Sequence, residues 1–193
     1  VGTRAVTVSG LGLTSTDSAN YSLTQPTVAN ADITARGLTI TAQDQSLTYG
    51  VGLGTSAFTP SGLQNGETVG GVTLTSSATH STAGYDIVGS WSITPSAATG
   101  GTFTPSNYSI TYNNAPTGLV VSAKTITVSG VTSQNKVYDG TNAATLVTTG
   151  YSFTGLVGTD VVTLAAGSTS TYASANVGTR AVTVSGLGLT STD

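Results

Sequence analysis

The sequence predicts an all-β chain of tandem small modules, Ig-like β-sandwich or β-grasp-like, with short joints through which strands continue to make an extended rod. Three observations carry this: apolar residues alternate with threonine and serine, breakers recur closely, and the chain repeats itself at two scales. Alternation with a period of two sets one group of side chains on each face of a strand. Ala181-Val182-Thr183-Val184, Thr125-Ile126-Thr127-Val128 and Leu38-Thr39-Ile40-Thr41 all follow it. Their β-branched residues suit a pleated, half-buried surface. Among 25 glycines, Asn65-Gly66 and Asp139-Gly140 mark turns, as do Thr59-Pro60, Thr94-Pro95 and Thr104-Pro105. No stretch holds helical spacing over three turns, so single turns near Gly66 or Gly158 are the most helix expected. A β-helix needs rungs of roughly 20 residues, and no such register occurs.

The longer repeat sets the organisation. Residues 1–17 (VGTRAVTVSGLGLTSTD) return letter for letter as residues 177–193, so the period is 176 residues, Val1 to Asn176. Alternation does not demand identity, and an identical run of this length reads as one period plus an overlap of a longer array. Inside it, Asn20-Tyr21-Ser22-Leu23-Thr24 recurs as Asn107-Tyr108-Ser109-Ile110-Thr111. Residues 33–41 then align with 119–127, and Phe58-Thr59-Pro60-Ser61-Gly62-Leu63 with Phe153-Thr154-Gly155-Leu156. Two diverged modules therefore alternate. Residues 1–34 form the C-terminal part of one type, 35–123 a module of the other, and 124–193 the N-terminal part of the next copy of the first.

The joints are short. Only Ser122, Ala123 and Lys124 separate Leu119-Val120-Val121 from Thr125-Ile126-Thr127-Val128, and the joint before Leu38 also lacks a Gly/Ser tract. At ~3.3 Å per residue, residues 119–131 reach roughly 40 Å, enough for one segment to serve two modules and resist bending. The expected core of the middle module is Ile40, Leu53, Phe58, Leu63, Val72, Leu74, Ile87, Trp91, Ile93, Phe103, Tyr108 and Ile110. That of the flanking type is Ile126, Val128, Val137, Leu146, Phe153, Leu156, Val162, Leu164, Val182 and Val184.

Composition removes several function classes. Charged residues are 7% of the chain, net charge is −3, and mean hydropathy is +0.16, which with the alternation favours folding over disorder. The five basic residues (Arg4, Arg36, Lys124, Lys136, Arg180) are scattered. No basic patch exists to neutralise phosphates, so nucleic acid and membrane insertion are not expected of this segment. Cysteine is absent, which excludes disulfides and thiolate chemistry.

Catalytic and metal chemistry find no constellation. His80 is the single histidine, so neither a His-based triad with a second base nor a multi-His metal site can form in one module. With Ser77, Thr79 and Ser81 as neighbours, it reads as a solvated strand end or loop. Asp17, Asp32, Asp44, Glu67, Asp86, Asp139, Asp160 and Asp193 are spread singly, without glycosidase-dyad or calcium-loop spacing. Asp139-Gly140-Thr141-Asn142 could seat a cation, but an Asx turn explains it better. Gly52 and Gly54 are followed by no lysine or helix start, so they are not a phosphate loop. No catalytic residue, metal or cofactor is therefore expected, and the chain reads as a non-enzyme. Trp91 with Tyr85 is the remaining candidate, because exposed aromatics stack on sugar rings. Both also alternate with Ile87 and Ile93 as strand residues with a buried face, so a core role competes with a glycan platform.

Two motifs carry a family resemblance over essentially the whole chain. Lys136-Val137-Tyr138-Asp139-Gly140-Thr141-Asn142 resembles the signature of YDG-type repeats. Leu47-Thr48-Tyr49-Gly50, with Gly62-Leu63-Gln64-Asn65-Gly66-Glu67 and Asn107-Tyr108-Ser109-Ile110-Thr111, resembles MBG (YGX-type) repeats. The resemblance implies a structural stalk of a giant secreted bacterial adhesin, filamentous-haemagglutinin-like, at the extracellular cell surface. Its implied partners are neighbouring repeat modules, head to tail, with host or matrix glycan as the alternative, and it implies no catalytic residues.

Overall fold

The computed structural model describes residues 1–191, so Asp193 of the scattered carboxylates lies outside the described residues. Strands hold 41% of the chain against 3% helix, so it is all-β and made of small sheets. In chain order the strands begin with β1 (Gly2–Arg4) and β2 (Ala31–Ile33). They continue as β3 (Arg36–Ala42), β4 (Gln45–Thr48), β5 (Phe58–Ser61), β6 (Val69–Ser76), β7 (Gly89–Trp91), β8 (Ile93–Gly101), β9 (Tyr108–Asn113) and β10 (Leu119–Ser122). The rest are shorter: β11 (Thr127–Ser129), β12 (Thr132–Ser133), β13 (Leu146–Val147), β14 (Ser152–Thr154), β15 (Val162–Leu164), β16 (Thr169–Tyr172), β17 (Val182–Ser185) and β18 (Leu189–Ser191). Two compact units result. One holds Val1–Asp44, Gly54–Thr75 and Ile93–Pro116; the other holds Gln45–Leu53, Ser76–Ser92 and the chain from Thr117 onward.

In the first unit β3 is the central strand of a β5-β3-β9 sheet, antiparallel to β5 and parallel to β9. Its Leu-Thr-Ile-Thr-Ala run buries Leu38, Ile40 and Ala42 and turns the threonines outward. β6 pairs with β8, and the two supply Val72 and Ala98 respectively, which with Phe103 complete the core around Leu38 and Ile40. Each fully buried aliphatic side chain is worth about 1.5–3 kcal/mol of transfer free energy. Alternation on β8 slips after the buried Pro95: Ser96 and Ala97 are both exposed before Ala98 is buried, and Ala97 is left-handed at φ 49°. That extra exposed residue restores Ala98 to the core-facing side. Tyr108 and Tyr112 wall the core with their rings and keep their hydroxyls hydrogen-bonded at its rim.

The segment before β3 has a different character. β1 and β2 pair with Gly2 opposite Ile33, Thr3 opposite Asp32 and Arg4 opposite Ala31, and Thr3 Oγ1 donates to Asp32 Oδ1 at 2.5 Å. Val6, Leu11, Leu13, Tyr21, Leu23, Val28 and Ile33 are all exposed.

In the second unit β10 lies between β4, parallel to it, and β7, antiparallel. Flanked on both sides, β10 buries Leu119 and Val121 almost completely. Downstream, the strands form two-stranded ribbons: β11 with β14, β12 with β13, β15 with β18, and β16 with β17. Residues 119–131 are not one continuous strand: β10 ends at Ser122, where the Ser122 carbonyl accepts the Tyr49 N–H, and β11 resumes at Thr127 in another sheet.

The core expectation holds best in the middle module, where Ile40, Val72, Ile93 and Phe103 are buried and the remainder half-buried, while Leu38, Leu119 and Val121 add to it. It fails at three places downstream. Val137 is 89% exposed because it lies in the loop between β12 and β13 rather than on a strand. Leu156 follows β14 outside any strand at 36%, and Val184, on the two-stranded β16–β17 ribbon, is 38% exposed.

Candidate functional site

One cluster of polar and aromatic side chains lies where three turns of the second unit meet. The first follows β4: the Val51 N–H bonds to the Thr48 carbonyl and places Tyr49-Gly50 at the tip. The second is the connection between β6 and β7. It is closed by the Ser81 N–H on the Tyr85 carbonyl, the Gly84 N–H on the Ser81 carbonyl, and a His80–Asp86 bridge. The third joins β14 to β15, where the Asp160 N–H bonds to the Val157 carbonyl.

Tyr49 ties the three together. Its hydroxyl donates to Asp160 Oδ2 at 2.5 Å and is hydrogen-bonded to Ser81 Oγ at 2.6 Å. Its ring meets Tyr85 edge to face, centroids 6.4 Å apart. Beside it Gly50, at φ 91°, lies so close to Val157 that an added Cβ would stand 2.7 Å from a valine methyl. Val157 is buried there at 8% exposure. Ala83 lies against Gly158 in the same contact. A carboxylate accepting a phenol proton in a half-buried place makes a charge-assisted hydrogen bond, stronger than a neutral one. Among the described residues the second oxygen of Asp160, Oδ1, is buried without a hydrogen-bond partner. The arrangement can fasten one turn to another.

The sequence had singled out Tyr49-Gly50 as a motif, and Asp160 only as one of the scattered acids. What brings them together is a hydrogen bond spanning 111 residues, which no local pattern encodes.

Of the two predicted aromatic candidates, one belongs to this junction. Tyr85 is half-buried against Tyr49. Trp91 is half-buried on β7, and its indole N–H donates to the Ile87 carbonyl at 2.9 Å. Its ring folds back over Gly89, where a Cβ would come within 2.9 Å of it. Its backbone carbonyl lies against Gly118, at φ 86°, where a Cβ would stand 2.1 Å away. His80 has a 58% exposed side chain and pairs with Asp86 at 3.1 Å, while Ser76 Oγ donates to the same carboxylate.

The Asp139 turn forms as an Asx turn, with the Thr141 N–H donating to Asp139 Oδ1 at 2.9 Å. Lys136 Nζ donates to that oxygen and to the Thr141 carbonyl, both at 2.8 Å, and stands 5.8 Å from the centre of the Tyr172 ring. The Lys136 ammonium and then the Thr141 hydrogen bonds hold the Asp139 carboxyl down to about 2. The lysine thus closes a loop onto itself. Among the described residues no three of His, Cys, Asp and Glu gather as a metal site.

Residues 38–116 match the MBG domain (YGX type) and residues 122–193 match the YDG domain. No curated protein and no solved structure matches the chain. Tyr49 and Gly50 fall in the first matched stretch and Val157 and Asp160 in the second, so the three-turn contact joins the two domains.

Proposed function

We propose that this chain, an MBG domain of the YGX type followed by a YDG domain, is an extender repeat of a large secreted bacterial surface adhesin. Its role is mechanical: to add length and stiffness between the cell and a distal binding region. The observation that carries this reading is the joint. Only a few residues separate β10 from β11, and beside them the Tyr49 hydroxyl on Asp160 and the Gly50–Val157 contact link the two domains away from the covalent connection. Two attachments, one through the chain and one through side chains, resist bending where a single strand crossing would act as a hinge.

Further features support a structural role. The internal identity of residues 1–17 and 177–193 is what duplication for length leaves behind. Neither domain is of an enzymatic type, and the chain is read as non-enzymatic, without cofactor, at the extracellular bacterial surface. Trp91 directs its N–H to the Ile87 carbonyl and Tyr85 packs on Tyr49, which supports joint and core roles for them over a glycan platform.

Small-angle scattering of chains with one, two and three periods tests the proposal. Maximum dimension should increase by a constant increment per period. An increment that shrinks with each added period would remove the stalk reading.

A further inference from the structure

The two copies of the 17-residue repeat have one sequence and two structures. In the first copy residues 2–4 are β1, paired with β2, and residues 6–9 belong to no strand. In the second copy the reverse holds: residues 182–185 and 189–191 are β17 and β18, paired with β16 and β15, while residues 178–180 belong to no strand among the described residues. Each copy forms the strands for which a partner is present. With local propensity identical, the partner decides.

Residues 178–180 are nevertheless held ready. Arg180 Nη2 donates to the Val177 carbonyl at 3.0 Å, as Arg4 Nη2 does to the Val1 carbonyl at 3.4 Å in the first copy. Gly178 has φ 134° and its counterpart Gly2 has φ 118°. The segment borders a groove of about 640 Å³ lined by Lys136, Val137, Tyr138, Tyr172, Val177 and Arg180 among others. Val137, Tyr138 and Val177 are 89, 62 and 83% exposed, an unusual apolar display beside two cations. Among the described residues no acid lines the groove itself, and Lys136 is already paired with Asp139 at 2.8 Å.

We propose that residues 178–180 are an acceptor edge and that the groove beside them seats the Ala31-Asp32-Ile33 strand of another copy of the repeat. The first copy supplies the register: Gly178 opposite Ile33, Thr179 opposite Asp32, and Arg180 opposite Ala31, antiparallel. The incoming strand matches the groove in chemistry. Its Ile33, 55% exposed on its own chain, brings apolar surface to Val137, Tyr138 and Val177. Its Asp32, on the opposite face of the strand from Ile33, repeats with Thr179 the bond that it makes to Thr3. Strand addition of this kind draws affinity from main-chain hydrogen bonds and specificity from alternate side chains. The inference rests on the proposed stalk and names its head-to-tail contact, which couples each YDG domain to the segment that follows it.

The test appends a second copy of residues 18–34 directly after Asp193 and follows backbone amide exchange. The amides of residues 177–180 should slow at least about tenfold, together with lower quencher access to Tyr138. The same extension with proline in place of both the appended Asp32 and Ile33 equivalents removes a ladder donor whichever of the two N–H groups faces the edge, and should return exchange to that of the original chain. Equal exchange at residues 177–180 in the original and extended chains would overturn the proposal, as would protection that survives the prolines. Constant growth in scattering without this protection would leave the stalk reading and remove this contact. Protection without such growth would do the opposite.

Discussion

The Tyr49 hydroxyl lies 2.5 Å from Asp160 Oδ2, and the two residues belong to different domains of the chain. Tyr49-Gly50, within the stretch that matches the first domain, therefore also bonds to the second. Tyr49→Phe keeps the ring against Tyr85 and deletes the bond. Asp160, whose other oxygen has no partner among the described residues, would then lose its phenol donor. Leaving a buried acceptor unsatisfied costs about 1–3 kcal/mol. Urea unfolding of Tyr49→Phe, Asp160→Asn and the double variant should give non-additive losses, because both changes remove one bond.

Gly50 is required twice over, by its left-handed φ of 91° and by the 2.7 Å approach that a Cβ would make to Val157. Gly50→Ala should destabilise the second unit by more than about 1 kcal/mol. Adding Val157→Ala removes the clashing methyls, so the double variant should recover part of the loss from Gly50→Ala. Thermal unfolding of the three variants checks the sign of that recovery.

The Asp139 carboxyl, held at about 2 by Lys136 and Thr141, gives the Lys136 loop a defined acid limit. A folded value below the ordinary ~4 of a carboxyl means the contribution is present above that value and lost as pH falls toward about 2. The side-chain carbon resonance of Asp139 should titrate with a midpoint near 2. The Thr141 amide should shift with it as the Asx bond weakens. Lys136→Met should return the Asp139 midpoint towards the ordinary range.

Core energetics should follow burial rather than hydrophobicity. Ile40 has 0% exposure at the centre of the first unit's sheet, so Ile40→Ala should cost about 2–5 kcal/mol. Val137→Ala, at 89% exposure, should change stability by less than about 0.5 kcal/mol in this chain. Urea midpoints of the two variants separate these expectations.

Much of the fold was legible because period-two alternation is local. Leu38-Thr39-Ile40-Thr41 announces a half-buried strand, and β3 is one. The two Asn-Tyr-Ser motifs even share a preceding 3₁₀ turn, residues Ser18–Asn20 and Pro105–Asn107. Beyond that turn they diverge: Tyr108 enters β9 beside β3, while Tyr21 is 73% exposed. Pairing partners are long-range facts, and alternation says nothing about which partner is present. Val137, Leu156 and Val184 were misplaced for that reason, since an apolar residue is buried only where a second layer covers it. The joint was legible as short but not as fastened, because Tyr49 and Asp160 are joined by tertiary geometry alone. Trp91 and Tyr85 drew attention by residue type. The structure gives each a partner inside the protein.

The central claim is that the joint between the two domains is locked rather than hinged. Nitroxide labels at Ser90 on β7 and Ser152 on β14, both exposed, place one probe in each domain. Their distance distribution, measured by pulsed dipolar electron paramagnetic resonance, should be single and narrow. It should broaden when Tyr49→Ala and Val157→Ala are introduced together. A distribution already broad in the unaltered chain, and unmoved by the two substitutions, would contradict the account.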